Sequence, residues 1–253
     1  MKKNQIAAQG YTIRELCKTP ESTDIAFGSV KAAGYDAIQL SGQWHIGVDT
    51  LAELTKKHGL EVCATHIGFQ EMVDDLPGVI ENHKKLGCKY VGIGGMPLEA
   101  RESPEACRAF VKKFNEIGLR LRDAGQVAIY HNHNFEFASF GEESLMDILF
   151  EEGDPDSWQF ELDTHWVVRG FNDPVKWIRK VGSRMECVHF KDLHNYKDGP
   201  TFAEIGEGVL NWPEIIAACR SIGVKWYIVE QDTCPGDPVD SLAISHRNML
   251  RMI

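Results

Sequence analysis

Three side chains that can bind a metal or carry a proton stand close together in the stretch YHNHNFEF, residues 130–137. His131, His133 and Glu136 follow the apolar run 127–129, which has the composition of a buried strand. Glu136 lies an odd number of residues from each of the two histidines, so in a continuous strand its side chain would point to the opposite face. It can therefore join them only where the strand bends or ends. We therefore predict that His131 and His133 line a wall, while Glu136 reaches the centre of a site from the loop.

Similar groups follow several other short apolar runs of the sequence. They are His66 in VCATHIGF, Glu161, Asp163 and His165 in QFELDTHW, His189, Lys191 and Asp192 in CVHFKD, and Glu230 and Asp232 in YIVEQD. Any one of them has a simpler explanation, because a terminal Asp is often the N-cap of the next helix and a lone His is often a core residue. Burying charge without partners is costly, so their recurrence at strand ends favours one shared site.

The residue types indicate which chemistry such a site could perform. Two or three carboxylates with one imidazole form an oxygen-rich donor set with one nitrogen. This set favours Mn²⁺ or Mg²⁺, with Co²⁺ and Zn²⁺ as alternatives, whereas the ligand types exclude a soft thiolate site. The sequence therefore predicts a divalent metal cofactor, with Mn²⁺ as the first choice.

The elements that would position these groups are short strands that alternate with amphipathic helices. The strand candidates are residues 5–9, 37–41, 61–66, 90–94, 127–132, 158–163, 187–191 and 226–231. Helical periodicity lies between them, as in residues 104–124, where Ser103 is expected to cap the helix and Pro104 to occupy its first turn. Four helices end in a glycine just before a strand, which predicts a repeated left-handed C-cap at Gly34, Gly59, Gly87 and Gly223.

About eight such units of roughly 32 residues suit a closed (β/α)₈ TIM barrel. An open doubly wound sheet is the rival, but it favours a glycine-rich phosphate loop, and no GxGxxG follows the first strand. No linker or composition shift divides the chain, so we predict a single α/β domain over residues 1–253. In a parallel barrel the carboxyl ends of all strands open on one face, and active sites lie there.

Charge and composition limit the partners. The net charge is −10, from 27 basic and 37 acidic side chains, whereas a nucleic-acid binder depends on clustered Lys and Arg. No apolar stretch approaches the ~20 residues that span a bilayer, and no apolar signal segment follows MKKNQ. We therefore expect a cytoplasmic protein without nucleic-acid or membrane partners. The seven cysteines form no CxxC pair, which favours reduced thiols in the core.

Taken together, the motifs resemble those of the xylose-isomerase-like superfamily of sugar isomerases and epimerases. The resemblance is carried by Glu136 after YHNHNF, Asp163 in ELDTHW, His189 in VHFKD and Glu230 in YIVEQD. Residues 204–232 are similar to its bacterial sugar phosphate isomerase/epimerase branch. The resemblance implies that these four residues hold a divalent ion, and that the two glutamates exchange a proton with the carbon beside a carbonyl.

The resemblance also implies substrate contacts at His66, His165 and Lys191. We add His133 from its place on the wall and Trp44 in SGQWH, which could either pack against a sugar face or anchor a loop. Lys191 itself departs from the epimerases of the superfamily, which lack a lysine there. That departure does not affect the four metal ligands, but it means that the resemblance does not assign the substrate.

Removing a proton beside a ketone requires stabilisation of an enediolate by a metal and a carboxylate base. With Glu136 and Glu230 as bases on opposite faces, the prediction is a sugar isomerase or epimerase that acts on a small sugar or keto-sugar. The same enediolate can lose a β leaving group with His165 or Lys191 as acid. The alternative is therefore a dehydratase or lyase on a keto-sugar, keto-inositol or 3-keto-glycoside.

Two further alternatives concern binding rather than chemistry. A non-catalytic binding barrel is less favoured, because it would not need all four ligands, and all four are present. The segment GQWHIG could serve a homo-oligomer contact.

Overall fold

The structure is a computed structural model that describes residues 1–196 and 199–253. The strands in these ranges are β1 Ile6–Gln9, β2 Ala37–Leu40, β3 Glu61–Ile67, β4 Tyr90–Ile93, β5 Val127–His131, β6 Ser139–Phe140, β7 Glu143–Ser144, β8 Trp158–Asp163, β9 Cys187–Phe190, β10 Asp192–Tyr196, β11 Gly199–Ala203 and β12 Trp226–Val229. The α-helices are α1 Pro20–Ala32, α2 Val48–His58, α3 Phe69–Asp74, α4 Leu76–Lys85, α5 Pro104–Asp123, α6 Leu145–Glu152, α7 Thr164–Arg169, α8 Pro174–Val181, α9 Trp212–Ile222 and α10 Pro238–Leu250.

Eight of the strands form a closed barrel in the order β1-β2-β3-β4-β5-β8-β9-β12, with β12 beside β1. Every neighbouring pair is parallel, and the barrel closes where Ile6 pairs with Tyr227. The other described strands form two antiparallel hairpins, β6–β7 and β10–β11. The predicted (β/α)₈ TIM barrel is confirmed, and each predicted strand ends within two residues of the observed end.

Local signals explain where the helices begin and end. The Ser103 side chain accepts a hydrogen bond from Ala106 N at 3.2 Å and Pro104 occupies the first turn of α5, as predicted. The glycines predicted to follow helices all have positive φ, and those after α2 and α9 are left-handed C-caps. Each allows the chain to leave a helix and enter the next strand directly.

The interior of the barrel contains two layers supplied by the same strands. The first is apolar and includes Ala7, Ala37, Ile129, Cys187 and Ile228. Two residues further along each strand or just after it come the buried polar side chains Gln9, Gln39, His131, His189 and Glu230. Residues two apart share a strand face, so the polar layer stands above the apolar one, at the carboxyl ends of the strands.

No helix in the described residues is both long and apolar enough to cross a membrane. Six of the seven cysteines are buried and free, as predicted, and Cys234 is half-buried. Burial raises the pKa of Cys17 to about 11 and that of Cys107 to about 12, so these thiols pack as apolar groups.

Candidate active site

A cavity of about 410 Å³ opens at the carboxyl ends of the strands. Its charged and imidazole lining comes from His66, His131, His133, Lys191, Glu230 and Asp232. These residues belong to β3, β5 and the segments that follow β5, β9 and β12. The convergence of strand ends that the sequence predicted is therefore present in the structure, and the cavity has the size of a small-molecule site.

Four buried side chains at this mouth could hold one metal ion. They are His131, Asp163, His189 and Glu230, and one donor atom from each lies within 4.8 Å of the others. Asp163 Oδ2 is 3.3 Å from His131 Nε2 and 3.9 Å from His189 Nδ1, and Glu230 Oε2 is 2.9 Å from that same Nδ1. Donor atoms that are each about 2.1 Å from a common ion lie roughly 3 to 4 Å apart, so the spacing fits.

This group departs from the predicted ligand set at Glu136, whose place is taken by His131. The Glu136 carboxylate accepts a hydrogen bond from the Tyr130 hydroxyl at 2.8 Å and another from His133 N at 2.8 Å. Its side chain is fully buried in the short 3₁₀ turn Phe135–Phe137, away from the cavity lining. The loop after β5 thus turns Glu136 into the wall and leaves His131, at the strand end, facing the site.

The orientation of His189 is set by Glu161, which the sequence placed among the strand-end groups, and by Gln39, which sequence reasoning missed. Gln39 Nε2 donates to both Glu161 oxygens at 3.0 and 3.2 Å, which turns Gln39 Oε1 toward His189 Nε2 at 2.6 Å. His189 Nε2–H therefore donates to Gln39, and the Nδ1 atom faces the cluster. Such an outer hydrogen bond fixes the tautomer of a metal-binding histidine.

His131 is oriented in a comparable way. Its Nδ1 lies 3.3 Å from the Gly94 carbonyl, to which it can only donate, so Nε2 faces Asp163. The cluster therefore offers two imidazole nitrogens and two carboxylate oxygens, all buried and with outer partners. This donor set fits a divalent cation.

The electrostatics of the cluster show that its carboxylates require positive charge. Burial alone would lower the pKa of His189, but the charges of Glu161 and Glu230 outweigh it and raise that pKa to about 10. Burial likewise opposes ionisation of Asp163, yet Lys191 holds the pKa of that carboxyl below its usual value. A bound divalent ion would supply charge of the same sign at the same oxygens.

Lys191 is fully buried and stands among three carboxylates at the edge of the cluster. Its Nζ lies 2.8 Å from Glu230 Oε2 and 3.0 Å from both Asp163 Oδ2 and Asp232 Oδ2. Burial would lower the pKa of Lys191, but the surrounding carboxylates raise it overall, so the side chain is an ammonium. Burial and the charge of Glu230 raise the pKa of Asp232 to about 6.

Of the five predicted substrate contacts, three line the cavity and two do not. His66, His133 and Lys191 line it, and His66 Nε2 also lies 2.5 Å from Glu161 Oε2. His165 lies outside the cavity lining, its Nδ1 3.1 Å from the Asp192 carbonyl. Trp44 also lies outside that lining and donates from Nε1 to the His66 carbonyl at 2.7 Å, so it anchors the end of β3.

The cavity wall also carries buried polar atoms that have no hydrogen-bond partner within the protein. They include His133 Nδ1 and Trp166 Nε1, and both side chains line the cavity. Buried polar atoms are nearly always paired, so these two atoms are available to form hydrogen bonds with water or with a ligand in the cavity. Trp166 was not among the predicted residues, because an indole after a strand is more often a packing residue.

Fold and site together define a (β/α)₈ barrel with a buried cluster at the carboxyl ends of its strands that could hold a metal ion. Residues 27–251 match the family described as xylose isomerase-like TIM barrel, and the chain belongs to that family.

Individual relatives add detail at lower similarity. The chain is 22% identical to inosose dehydratase of Geobacillus kaustophilus (strain HTA426) over 194 residues, 68% of this chain and 62% of that protein. It is 27% identical to inosose dehydratase of Lacticaseibacillus casei over 142 residues, 49% of this chain and 47% of that protein. The matches thus span only about half to three fifths of these relatives.

A solved structure extends the likeness over the whole fold. The sugar phosphate isomerase/epimerase from Parabacteroides distasonis ATCC 8503 superposes with a TM-score of 0.81, with 23% identity over 97% of each chain. At this identity the likeness shows the barrel fold and does not identify the reaction.

Proposed function

We propose that this protein is a metal-dependent lyase of the dehydratase type, which removes water from a cyclic polyhydroxylated ketone. The proposal rests on one contact: Lys191 Nζ lies 2.8 Å from Glu230 Oε2, and both side chains line the cavity. In the proposed reaction Glu230 is the base and Lys191 the acid, and their contact supports action from the same side of a substrate. The similarity to inosose dehydratases supports the same class of reaction.

The metal would be held by the buried four-residue cluster of His131, Asp163, His189 and Glu230. When bound, a divalent ion polarises a ketone and so makes the neighbouring C–H more acidic. Two imidazoles among four ligands favour Mn²⁺, Co²⁺ or Zn²⁺ over Mg²⁺.

The two residues in contact can complete an elimination without a further proton carrier. Glu230 takes the proton from the carbon beside the ketone, and the C–H electron pair enters the enolate. Lys191 gives a proton to the β-hydroxyl, the C–O bond breaks as the enolate pair forms the C=C bond, and water leaves. The protonated Glu230 then returns its proton to the neutral Lys191, which restores both groups.

The groups on the cavity wall support this substrate class. His133 is neutral, because burial lowers its pKa to about 3, so its ring can both donate and accept. Trp166 Nε1 adds a donor. An amphipathic ligand with several hydroxyl groups, such as a keto-inositol or keto-sugar ring, suits such a wall.

An epimerase needs a base on each face of the substrate, and the position of Glu136 weakens that prediction. Its carboxylate faces Tyr130 and His133 N rather than the cavity. An aldose–ketose isomerase needs only one base, and Glu230 could move a proton between adjacent carbons. The isomerase is therefore the second candidate.

The test is incubation of the metal-loaded protein in D₂O with inosose and with 3-keto-glucose, followed by NMR and mass spectrometry. We expect an enone and loss of one water. Lys191→Met should retain α-deuterium exchange while losing at least ~100-fold in dehydration, because the base remains and the acid is gone. Glu230→Gln should lose both. Lys89→Met, at the opposite end of the barrel, is the matched control and should behave as wild type.

Incorporation of deuterium into the ketone without loss of water in the wild type would instead identify an isomerase or epimerase. Inactivity on both ketones in the presence of each candidate metal would reject the substrate class.

A further inference from the structure

Two residues that directly follow the proposed metal ligand Asp163 hold the backbone at Lys191 and at the residue after it. Strand β8 ends at Asp163, which pairs with His189 on β9, and the chain then turns away into α7. The ladder between the two strands therefore stops at His189, two residues before Lys191. The side chains of Thr164 and His165 continue it, and the proposed reaction gives neither of them a task.

Thr164 binds both backbone groups of Lys191. The Lys191 N atom donates to Thr164 Oγ1 at 3.1 Å. The same hydroxyl is 3.0 Å from the Lys191 carbonyl and 3.3 Å from the His189 carbonyl, so it donates mainly to the closer oxygen. A hydroxyl has one hydrogen and two lone pairs, and can therefore accept and donate at once. The Thr164 side chain thus replaces the neighbouring strand and keeps the buried N–H and C=O of Lys191 paired.

His165 fixes the next peptide along the chain. Its Nδ1 lies 3.1 Å from the Asp192 carbonyl, and because a carbonyl oxygen only accepts, Nδ1–H donates. The Asp192 side chain is itself held, since its carboxylate accepts from Gly206 N at 3.0 Å and from Trp212 Nε1 at 2.6 Å. The residue after Lys191 is therefore fixed through its backbone and its side chain.

The position of this backbone decides where the Lys191 ammonium lies. Its Nζ atom is 2.8 Å from Glu230 Oε2 and 3.0 Å from Asp163 Oδ2. The other oxygen of Asp163 accepts from His165 N at 2.8 Å, so the start of α7 is tied to the same carboxylate. A proton donor must lie within hydrogen-bond reach of the leaving hydroxyl, so a backbone shift of about 1 Å at Lys191 would slow the elimination.

We propose that Thr164 and His165 are positioning residues, which hold Lys191 where it can protonate the β-hydroxyl of the substrate. The inference rests on the proposed function and extends it to two residues outside the cavity lining. His165, for which the sequence predicted a substrate contact, would instead act through the Asp192 carbonyl. The segments DTH, residues 163–165, and HFKD, residues 189–192, then work as one unit.

The kinetic test compares Thr164→Val, which keeps the shape of the side chain and removes the hydroxyl, with Thr164→Ser, which retains it. In Thr164→Val we expect dehydration of inosose by the Mn²⁺-loaded protein to fall about 10-fold or more, while deuterium exchange beside the ketone stays within about 3-fold. Thr164→Ser should recover most of the dehydration rate. Thr55→Val is the matched control and should behave as wild type, because Thr55 is buried in α2 and its hydroxyl donates to the Leu51 carbonyl at 2.8 Å.

A second pair of variants tests His165. Asparagine carries an N–H donor close to the position of Nδ1, whereas leucine has none. We expect His165→Leu to reduce dehydration in the same selective way and His165→Asn to restore it. A loss in both variants would show that the imidazole itself is needed and would overturn the positioning role of His165.

A measurement without substrate separates failure of this inference from failure of the proposed function. Competitive acetylation with acetic anhydride, followed by peptide mass spectrometry, compares the reactivity of Lys191 with that of Lys113, whose side chain is 49% exposed. A buried amine reacts only when its surroundings open, so we expect Lys191 of the metal-free protein to react about 10-fold faster or more in Thr164→Val than in wild type, Thr164→Ser and Thr55→Val.

Faster acetylation of Lys191 in Thr164→Val alone would support the inference even if no ketone is dehydrated. Unchanged reactivity of Lys191 in that variant would overturn it even if the wild type removes water. Equal losses of dehydration, deuterium exchange and Mn²⁺ affinity in Thr164→Val would also overturn it, because Thr164 would then support the whole site rather than Lys191.

Discussion

The loops after β5 and β12 each carry a glutamate to which the sequence assigns the same duties, yet the structure gives them different surroundings. Glu230 follows β12 directly, and its carboxylate touches His189 and Lys191 at the cavity. Glu136 comes five residues after the end of β5, and its carboxylate is inside the wall. A side chain at a strand end is positioned by the barrel itself, whereas one further along is positioned by the packing of its loop.

The largest effect that would test this comparison concerns metal binding. We expect His131→Ala to weaken binding of Mn²⁺ or Zn²⁺ by about 100-fold or more, because it removes one of the four proposed ligands. Glu136→Gln should leave the affinity within about 3-fold, since Glu136 has its own hydrogen-bond partners. The measurement is competition with a chelating dye.

His133→Ala is the matched control for this experiment, because His133 lines the cavity without belonging to the cluster. A large loss of affinity in Glu136→Gln, with little change in His131→Ala, would restore the ligand set that the family resemblance implied.

The barrel and most of the cluster could be predicted because both follow from strand periodicity. His131, Asp163 and His189 lie in strands and Glu230 directly follows one, so parity and strand direction place them on one face at one end. The position of Glu136 could not be predicted in the same way. It depends on the 3₁₀ turn and on the Tyr130 hydroxyl, and neither leaves a periodic signal in the sequence.

Gln39 shows a second reason why part of the site could not be predicted from the sequence. It stands two residues after Ala37, so its parity already indicates the barrel interior. A neutral amide does not signal chemistry by its type, however, and its role appears only when its partners Glu161 and His189 are known. A buried amide in a strand that otherwise supplies apolar residues is the signal that could have identified it.

A smaller effect would test whether metal binding by the four-residue cluster depends on the hydrogen bond that His189 donates to Gln39. Gln39→Leu removes the acceptor for His189 Nε2–H, and we expect metal affinity to fall by about 10-fold or more. Gln126→Leu is the matched control, because Gln126 is a buried amide that binds the Ile80 carbonyl far from the cluster. Unchanged affinity in Gln39→Leu, with both variants folded by circular dichroism, would contradict a positioning role for Gln39.

The last effect concerns Glu136 itself and appears in stability rather than in metal affinity. Burial raises the pKa of Glu136 from 4.5 in the unfolded chain to about 7 in the folded protein. The folded state therefore holds a proton that the unfolded state releases between these pH values. This contribution is fully present below about pH 4.5 and is lost by about pH 7, which lowers the free energy of unfolding by about 3 kcal/mol.

Glu136→Gln cannot ionise, so its stability should improve relative to wild type as the pH rises from 5 to 8. The measurement is urea unfolding of both proteins at these two values. The amide can satisfy only one of the two donors that Glu136 accepts from, which costs about 1 kcal/mol at both pH values and so cancels from the comparison. If the difference in free energy of unfolding between wild type and Glu136→Gln does not change with pH, Glu136 is ionised at no cost in the folded state. The wall would then be as suited to a carboxylate as the cavity is, and position along the loop would no longer distinguish the two glutamates.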